Sequence, residues 1–184
     1  MPEKNLSRRR FIKIGMLATT ATFFPSPLIA AIERLVKPVR NLSFFNTHTA
    51  ETLDVCYFSN GKYSLAALAK INAILRDHRT GELKAIETGL LDVLHAISST
   101  LATEEPFHII SGYRSPASNS KLRRNSKNVA AGSLHMQGKA IDIRIPGCRT
   151  AYLRDVAKRL KAGGVGYYQK SDFVHVDTGR VRYW

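Results

Sequence analysis

Two histidines and one aspartate in the second half of the chain have the residue types that bind a catalytic zinc ion. They are His135, Asp142 and His175, and a further carboxylate, Asp172, lies three residues before the last histidine. A catalytic zinc uses three protein ligands and leaves its fourth tetrahedral position to water or substrate. The sequence therefore predicts a metallohydrolase site with one zinc ion held by these three side chains.

The same region of the sequence also indicates the strands and the loop that must position these ligands. Residues 139–145 alternate between isoleucine and other side chains, which predicts a strand with Asp142 on the face away from the isoleucines. His175 falls in another predicted strand, near residues 173–176, and His135 follows a loop of small residues. Ligands on neighbouring rigid elements can be held at the bond lengths that zinc requires.

The remaining pattern places helices first and then strands mixed with further helices. This order predicts an α+β fold with a small, mostly antiparallel sheet and packed helices. The glycine-rich segment 163–168 is interpreted as a turn that allows close backbone approach near the site, with Tyr167 or Tyr168 lining it. The predicted elements are a strand over residues 49–58, helices over 64–79 and 83–102, a strand over 107–113, and helices over 116–127 and 150–162.

The N-terminal segment carries an export pattern. Ser7-Arg-Arg-Arg-Phe-Ile-Lys13 precedes a modestly apolar stretch, as in a twin-arginine signal. We therefore expect residues 1–31 to be a twin-arginine signal peptide, 32–47 a linker and 48–184 the domain with the zinc site, which the resemblance described below implies is a zinc peptidase domain. The export machinery is then a partner and the periplasm the destination. A sharply marked cleavage site is missing, so an uncleaved membrane anchor stays open.

The charge and the cysteines narrow the functional classes. The formal net charge is +14, and the chain stays strongly basic without its first 31 residues, which favours a polyanionic partner. The basic run 121–127 keeps nucleic acid as an alternative partner, but the run lacks interleaved aromatic residues, and no nucleic acid is expected outside the cytoplasm.

The chain contains two cysteines, Cys56 and Cys148, which are too few for a zinc ribbon. They are expected either to form one disulfide or to remain two free thiols.

Four motifs resemble the D-Ala-D-Ala metallopeptidase group of the lysostaphin- and hedgehog-like zinc peptidases. The similarity extends over most of residues 49–184 and is closest to the murein endopeptidases of that group. It implies a hedgehog/DD-peptidase-like fold and zinc bound by His135, Asp142 and His175. The motifs are Ser111-Gly-Tyr-Arg114, Ser133-Leu-His135, Gly138-Lys-Ala-Ile-Asp142 and Asp172-Phe-Val-His175.

The resemblance also suggests roles for residues around the metal. A carboxylate three residues before the last histidine is the usual general base and acid in this group, which implies Asp172, with Asp177 as the reserve base or as the acceptor that orients His175. Arg114 is expected to steady the substrate, because its planar guanidinium suits a carboxylate or oxyanion. Substrate contact or loop capping is open for Ser133, and Tyr168 is expected to line the site.

The expected function is that of an exported zinc metallopeptidase that hydrolyses peptide cross-links of peptidoglycan with a metal-activated water. A peptidoglycan carboxypeptidase and a non-catalytic cell-wall-binding module with the same fold are the alternatives. The endopeptidase is favoured because the similarity is closest there and the sequence offers no lid insertion. Structural roles are expected for the histidines outside the metal motif, His48, His78, His95 and His108.

Overall fold

The computed structural model describes residues 38–125 and 129–184. The predicted signal peptide, residues 1–31, lies outside this range, as does the first part of the predicted linker. The strands are β1 Arg40–Asn46, β2 Thr52–Ser59, β3 Lys62–Tyr63, β4 Phe107–Ser111, β5 Ala140–Arg144, β6 Gly164–Tyr168, β7 Phe173–Asp177 and β8 Arg182–Tyr183. The helices are α1 Leu65–Ile74, α2 Thr88–Leu101, α3 Pro116–Asn125 and α4 Thr150–Leu160, with short 3₁₀ turns at Leu134–Gln137 and Gln169–Ser171.

The strands form one sheet in the order β3-β2-β1-β4-β5-β7-β6-β8. Two neighbouring pairs, β1 with β4 and β6 with β8, are parallel, and the other pairs are antiparallel. The predicted α+β fold with a mostly antiparallel sheet is confirmed. None of the helices in the described ranges is long and apolar enough to cross a membrane.

Strand β1 corrects the prediction that residues 32–47 are a linker. It lies between β2 and β4 and pairs with both of them. Leu42, Phe44 and Asn46 alternate as its buried positions, and the amide of Asn46 donates a hydrogen bond to the carbonyl of Ile74 at 2.9 Å. The folded unit therefore begins at Pro38 rather than at residue 48. The sequence pattern hides this strand, because the polar Asn46 at a buried position interrupts the alternation of apolar and polar residues.

Helix α1 begins where the sequence predicts and ends earlier. Ser64 caps it, since its hydroxyl accepts a hydrogen bond from the backbone N–H of Ala67 at 3.3 Å. The helix ends at Ile74 instead of residue 79. Asp77, just beyond, uses its carboxylate to accept the backbone N–H groups of Arg79 and Ser115 at 2.9 and 2.8 Å. Such side-chain bonds compete with helical ones and favour a turn.

Helix α2 begins at Thr88 rather than at residue 83. The backbone N–H groups that would enter the helix have tertiary partners: Ile86 donates to the amide oxygen of Asn72 and Glu87 to the carbonyl of Gly138, both at 2.9 Å. Within the helix, Leu90, Leu94 and Ile97 are fully buried, as their spacing predicts. The segment before α2 is thus held by α1 and by the end of the 3₁₀ turn that carries His135.

Strand β5 separates the core from the polar face as its alternation predicts. Ile141 and Ile143 are fully buried in the core shared with α2 and α4, while Asp142 lies on the opposite face of the strand. The prediction that residues 163–168 form a turn is wrong, since residues 164–168 are strand β6, paired with β7 and β8. The close backbone approach expected there is present, because a Cβ atom on Gly164 would lie 2.5 Å from the carboxylate of Asp177.

Candidate active site

The metal ligands predicted from the sequence converge on one face of the sheet. The antiparallel register of β5 and β7 sets Asp142 directly opposite His175, and their side chains meet with His175 Nδ1 2.8 Å from Asp142 Oδ1. The 3₁₀ turn before β5 brings in His135, whose Nε2 lies 3.2 Å from His175 Nδ1 and 3.3 Å from Asp142 Oδ1. All three residues are buried. Residues up to 40 positions apart in the sequence therefore form one cluster.

The spacing of these three donor atoms fits a tetrahedral ion. Zinc bonded at about 2.0–2.1 Å to nitrogen and oxygen separates neighbouring ligand atoms by roughly 3.3 Å. Two of the three separations are within 0.1 Å of that value and the third, 2.8 Å, is shorter. The three residues can offer ligand atoms that all lie within 4.8 Å of one another. The arrangement can hold a metal ion.

The far side of each imidazole is held by an acceptor. His135 Nδ1 lies 2.8 Å from the carbonyl oxygen of Gly112, and His175 Nε2 lies 3.0 Å from Asp177 Oδ2. A carbonyl or carboxylate oxygen can only accept, so each of these nitrogens carries the hydrogen. Each ring then turns its unprotonated nitrogen toward the shared point with Asp142, which is the tautomer a metal ligand needs.

Asp177 is the acceptor that orients His175, which was one of the two roles the sequence left open for it. Its carboxylate is completely buried and also accepts the backbone N–H of Gly164 at 3.0 Å and of Gly179 at 2.8 Å. Arg182 completes the set with an ion pair at 2.7 Å. Burial opposes ionisation, but the hydrogen bonds from His175 and Arg182 outweigh it and hold the pKa of Asp177 well below its usual range.

Gly112 explains why the Ser-Gly-Tyr-Arg motif matters for the metal. A Cβ atom at this position would lie 2.5 Å from the carbonyl oxygen of Leu75, at the end of α1. The neighbouring Tyr113 N–H donates to that same oxygen at 2.7 Å. The glycine lets the chain run against α1 and present its own carbonyl to His135. Sequence spacing alone gives no sign of this contact.

Arg114 lies beside the metal ligands with its charge only weakly compensated. Its guanidinium is 12% exposed, and Nη2 is 3.6 Å from Asp142 Oδ2. Its Nε atom is buried and has no hydrogen-bond partner among the described residues. Burial of the guanidinium lowers the pKa of Arg114 despite the nearby carboxylate of Asp142. A buried, incompletely paired cation at this place is a site for a substrate oxygen.

The cavity over the metal ligands has a volume of about 540 Å³ and is open to solvent. Ser133 lines it and also caps the 3₁₀ turn, since its hydroxyl accepts the backbone N–H of His135 at 3.4 Å. Tyr168 lines it as well, stacked on Phe173 with ring centroids 4.5 Å apart. Trp184 also belongs to the cavity wall, and nothing in the sequence pattern pointed to it.

The structure does not bring Asp172 to the metal ligands, although the sequence predicts it as the general base. Its Oδ1 accepts a hydrogen bond from the Thr150 hydroxyl at 2.9 Å, and Oδ2 is 3.8 Å from the Arg144 guanidinium. The reason is local: Asp172 ends a 3₁₀ turn in the left-handed conformation, which directs its side chain toward the start of α4. Among the residues of the described ranges, Asp142 is the one carboxylate that lines the cavity.

The ionisation of the site is strongly coupled. Burial opposes a charge on His175, but in its protonated form the ring donates hydrogen bonds to both Asp142 and Asp177, and these outweigh burial and raise the pKa of His175 to about 9. Burial also opposes ionisation of Asp142, yet the two histidines hold its pKa well below its usual range. Protons therefore compete with a metal ion for this ring.

The remaining histidines and both cysteines lie outside this cluster. His48 and His78 stack on each other at 3.7 Å, His95 lies in α2 and His108 in β4. Cys56 is exposed, Cys148 is partly buried, and the two thiols are free. None of these residues lines the cavity over the metal ligands.

The fold and the site together are those of a metallopeptidase-like α+β protein, in which His135, Asp142 and His175 could hold a metal ion at the base of an open cavity. The chain belongs to the family described as peptidoglycan L,D-endopeptidase MepK, whose model matches residues 34–184. The peptidoglycan L,D-endopeptidase MepK of Escherichia coli K12 is 39% identical over 184 residues, which cover all of both chains. A probable peptidoglycan L,D-endopeptidase MepK of Haemophilus influenzae is 36% identical over 179 residues, covering 97% of this chain and 95% of the relative. The family resemblance drawn from the four motifs is confirmed.

Proposed function

We propose that the protein is an exported zinc peptidase that hydrolyses peptide cross-links of peptidoglycan. The observation that carries the proposal is the meeting of His135 Nε2, Asp142 Oδ1 and His175 Nδ1 at separations of 2.8–3.3 Å in an open cavity. Relatives that match the whole chain are named peptidoglycan L,D-endopeptidases, which favours an endopeptidase over a carboxypeptidase.

Each residue of the site has a distinct part in the proposed reaction. A zinc ion bound by the three ligands would polarise the scissile carbonyl and lower the pKa of a water molecule toward neutrality. Asp177 keeps His175 in the ligand tautomer, as the carbonyl of Gly112 does for His135. Arg114 would bind a carboxylate or carbonyl oxygen of the stem peptide with its guanidinium, whose Nη2 lies 3.6 Å from Asp142 Oδ2 in the lining of the cavity.

Asp172 is left out of this machinery. Its carboxylate would have to leave the Thr150 hydroxyl and rotate to the other side of the strand entrance before it could reach a water molecule in the cavity. Breaking one such hydrogen bond costs only about 1 kcal/mol, so replacement of Asp172 by asparagine tests whether its carboxylate takes part in turnover.

The proposed place of action is the periplasm. Ser7-Arg-Arg-Arg-Phe-Ile-Lys13 supports recognition by the twin-arginine machinery, and the net charge of +14 suits retention on an acidic cell wall. Replacing Arg8 and Arg9 by lysine should leave the protein in the cytoplasm, while the Lys4→Arg variant should be exported normally. Export of the double-lysine variant would refute the assignment of the signal. Size on a gel before and after export would separate a cleaved leader from an anchor.

The function is tested with metal-loaded protein and purified muropeptides. We expect about one zinc per chain, release of monomers from cross-linked dimers, and loss of turnover with chelator. His175→Ala should lose both metal and activity, whereas His108→Ala, on β4 of the same sheet, should keep them. Shortened monomers without dimer cleavage would identify a carboxypeptidase. A protein that binds metal and wall but cleaves neither substrate would be a binding module.

A further inference from the structure

Trp184 lies in the cavity wall with half of its surface open to solvent. Its relative exposure is 50%, and its ring centroid is 5.3 Å from that of the metal ligand His175. A large aromatic side chain that stays half exposed beside a buried metal centre offers a flat apolar surface to whatever occupies the cavity.

The ring is held rigidly although it is exposed. The backbone of Trp184 donates to the carbonyl of Val165 at 3.3 Å and accepts from Tyr167 N–H at 2.9 Å. The indole N–H donates to the Tyr168 hydroxyl at 3.1 Å. A Cβ atom on Gly166 would lie 2.6 Å from the ring, so the absence of a side chain there lets the indole lie directly on the backbone of β6. An ordered ring loses little entropy when it binds a ligand.

The position of Trp184 in the sheet places it across the metal ligands from Arg114. Arg114 follows β4, the ligands Asp142 and His175 lie on β5 and β7, and Trp184 follows β8 beyond β6. The same cavity is thus bounded by Arg114 at one side and by the indole of Trp184 at the other, and Arg182, whose guanidinium carbon lies 5.0 Å from the centroid of the Trp184 ring, also lines it. A cavity with these two sides suits a substrate residue that has a carboxylate for the cation and an aliphatic chain for the aromatic surface.

We propose that Trp184, with Tyr168 and Phe173, forms a substrate subsite that packs against the aliphatic side chain of a cross-linked stem-peptide residue that also carries a carboxylate. This inference rests on the proposed peptidoglycan substrate and adds the residue that recognises it. Tyr168 and Phe173 extend the apolar surface, since their rings stack at 4.5 Å and both line the cavity.

The chain contains one tryptophan, so emission excited at wavelengths that tyrosine does not absorb reports on this ring alone. A purified cross-linked muropeptide dimer, titrated into chelator-treated full-length protein, should change the emission in a saturable way without being consumed. The disaccharide that lacks a stem peptide should leave the emission unchanged. Emission that stays constant up to muropeptide concentrations that saturate turnover of the zinc-loaded protein would overturn the inference.

Variants separate substrate contact from support of the metal. Trp184→Ala should raise KM for the dimer about tenfold, the effect of losing one aromatic contact, with the zinc content unchanged and kcat altered less than about threefold. Trp184→Phe should restore part of the loss. Tyr183→Ala is the matched control, because this neighbour on the same edge is 42% exposed and contacts Lys158 rather than the cavity.

The outcomes also separate this inference from the proposed function. If Trp184→Ala lowers zinc content or kcat at unchanged KM, the ring supports His175 and the subsite is refuted. If the wild-type protein cleaves dimers but its emission and the variant's KM do not change, the subsite fails while the function stands. If zinc-loaded protein cleaves no muropeptide, the proposed function fails, and a saturable emission change with the dimer would still identify the subsite.

Discussion

Replacing Asp177 by asparagine tests whether the metal centre depends on the residue that orients His175. The carboxylate accepts hydrogen bonds from His175, Arg182 and two backbone N–H groups, those of Gly164 and Gly179. Asparagine keeps one acceptor oxygen and puts an N–H₂ group in place of the other. At least one of the groups that donate to Asp177 must then face the N–H₂ group of the asparagine, which is itself a donor.

The size of the effect follows from these contacts. If the amide N–H₂ faces His175, the ring loses the partner that holds its proton on Nε2, and the ligand tautomer is no longer fixed. Loss of such an outer partner typically lowers metal affinity or activity by about 10–100-fold. If the amide faces Gly164 and Gly179, the buried N–H groups lose their acceptor at about 1–3 kcal/mol each, and the folded state is destabilised instead.

Zinc affinity and stability are therefore measured together. A competition titration against a chromophoric chelator gives the affinity, and urea unfolding of the chelator-treated protein gives the free energy of unfolding. Asp155→Asn is the control, because that exposed carboxylate pairs only with its neighbour Arg154 on α4. An Asp177→Asn protein with unchanged zinc affinity and unchanged stability would refute the reasoning, since the buried hydrogen bonds would then be without consequence.

Three further predictions concern the surroundings of the site. Gly112→Ala should lower stability by about 1–3 kcal/mol in urea unfolding and weaken zinc binding, because its Cβ would lie 2.5 Å from the carbonyl of Leu75; an unchanged unfolding midpoint would contradict the close contact. Asp172→Asn should reduce kcat for muropeptide cleavage less than about tenfold, since Thr150 holds the carboxylate away from the cavity, and a loss of about a hundredfold or more would identify it as the base. Burial, aided by the charges of His48 and Arg79, lowers the pKa of His78 to about 4. The unfolded chain therefore takes up a proton first, and the free energy of unfolding falls as the pH drops from about 6.5 toward 4. His78→Gln should lessen that fall in acid unfolding curves, and an equal fall in both proteins would show that the ring is uncoupled from folding.

The ligand set could be predicted because the relevant signals are local. The alternation around Asp142 requires only that residues 139–145 be extended, and the structure shows strand β5 over Ala140–Arg144. The cap at Ser64 is equally local, because a serine hydroxyl satisfies a helix N–H two or three residues away. Both predictions depend on neighbours in the sequence and are confirmed.

Predictions that depend on distant partners were less successful. The start of α2 is set by hydrogen bonds that Asn72 and Gly138 accept from the backbone before the helix, and the burial of β1 depends on its place between β2 and β4. The position of Asp172 has the same origin, because its left-handed conformation at the strand entrance turns the carboxylate toward Thr150. Asp177, by contrast, lies two residues beyond His175 in β7, and the period of two within the strand places both side chains on one face.

The sequence by itself determined which side chains can bind a metal and that two of them lie on strands. The tertiary structure alone decided that these side chains meet, that the carbonyl of Gly112 fixes the ring of His135, and that Trp184 closes one side of the cavity. The physical reason is that a residue's type and the local period of the chain are properties of short segments. The register between strands and the approach of one backbone to another arise only when the whole sheet is assembled.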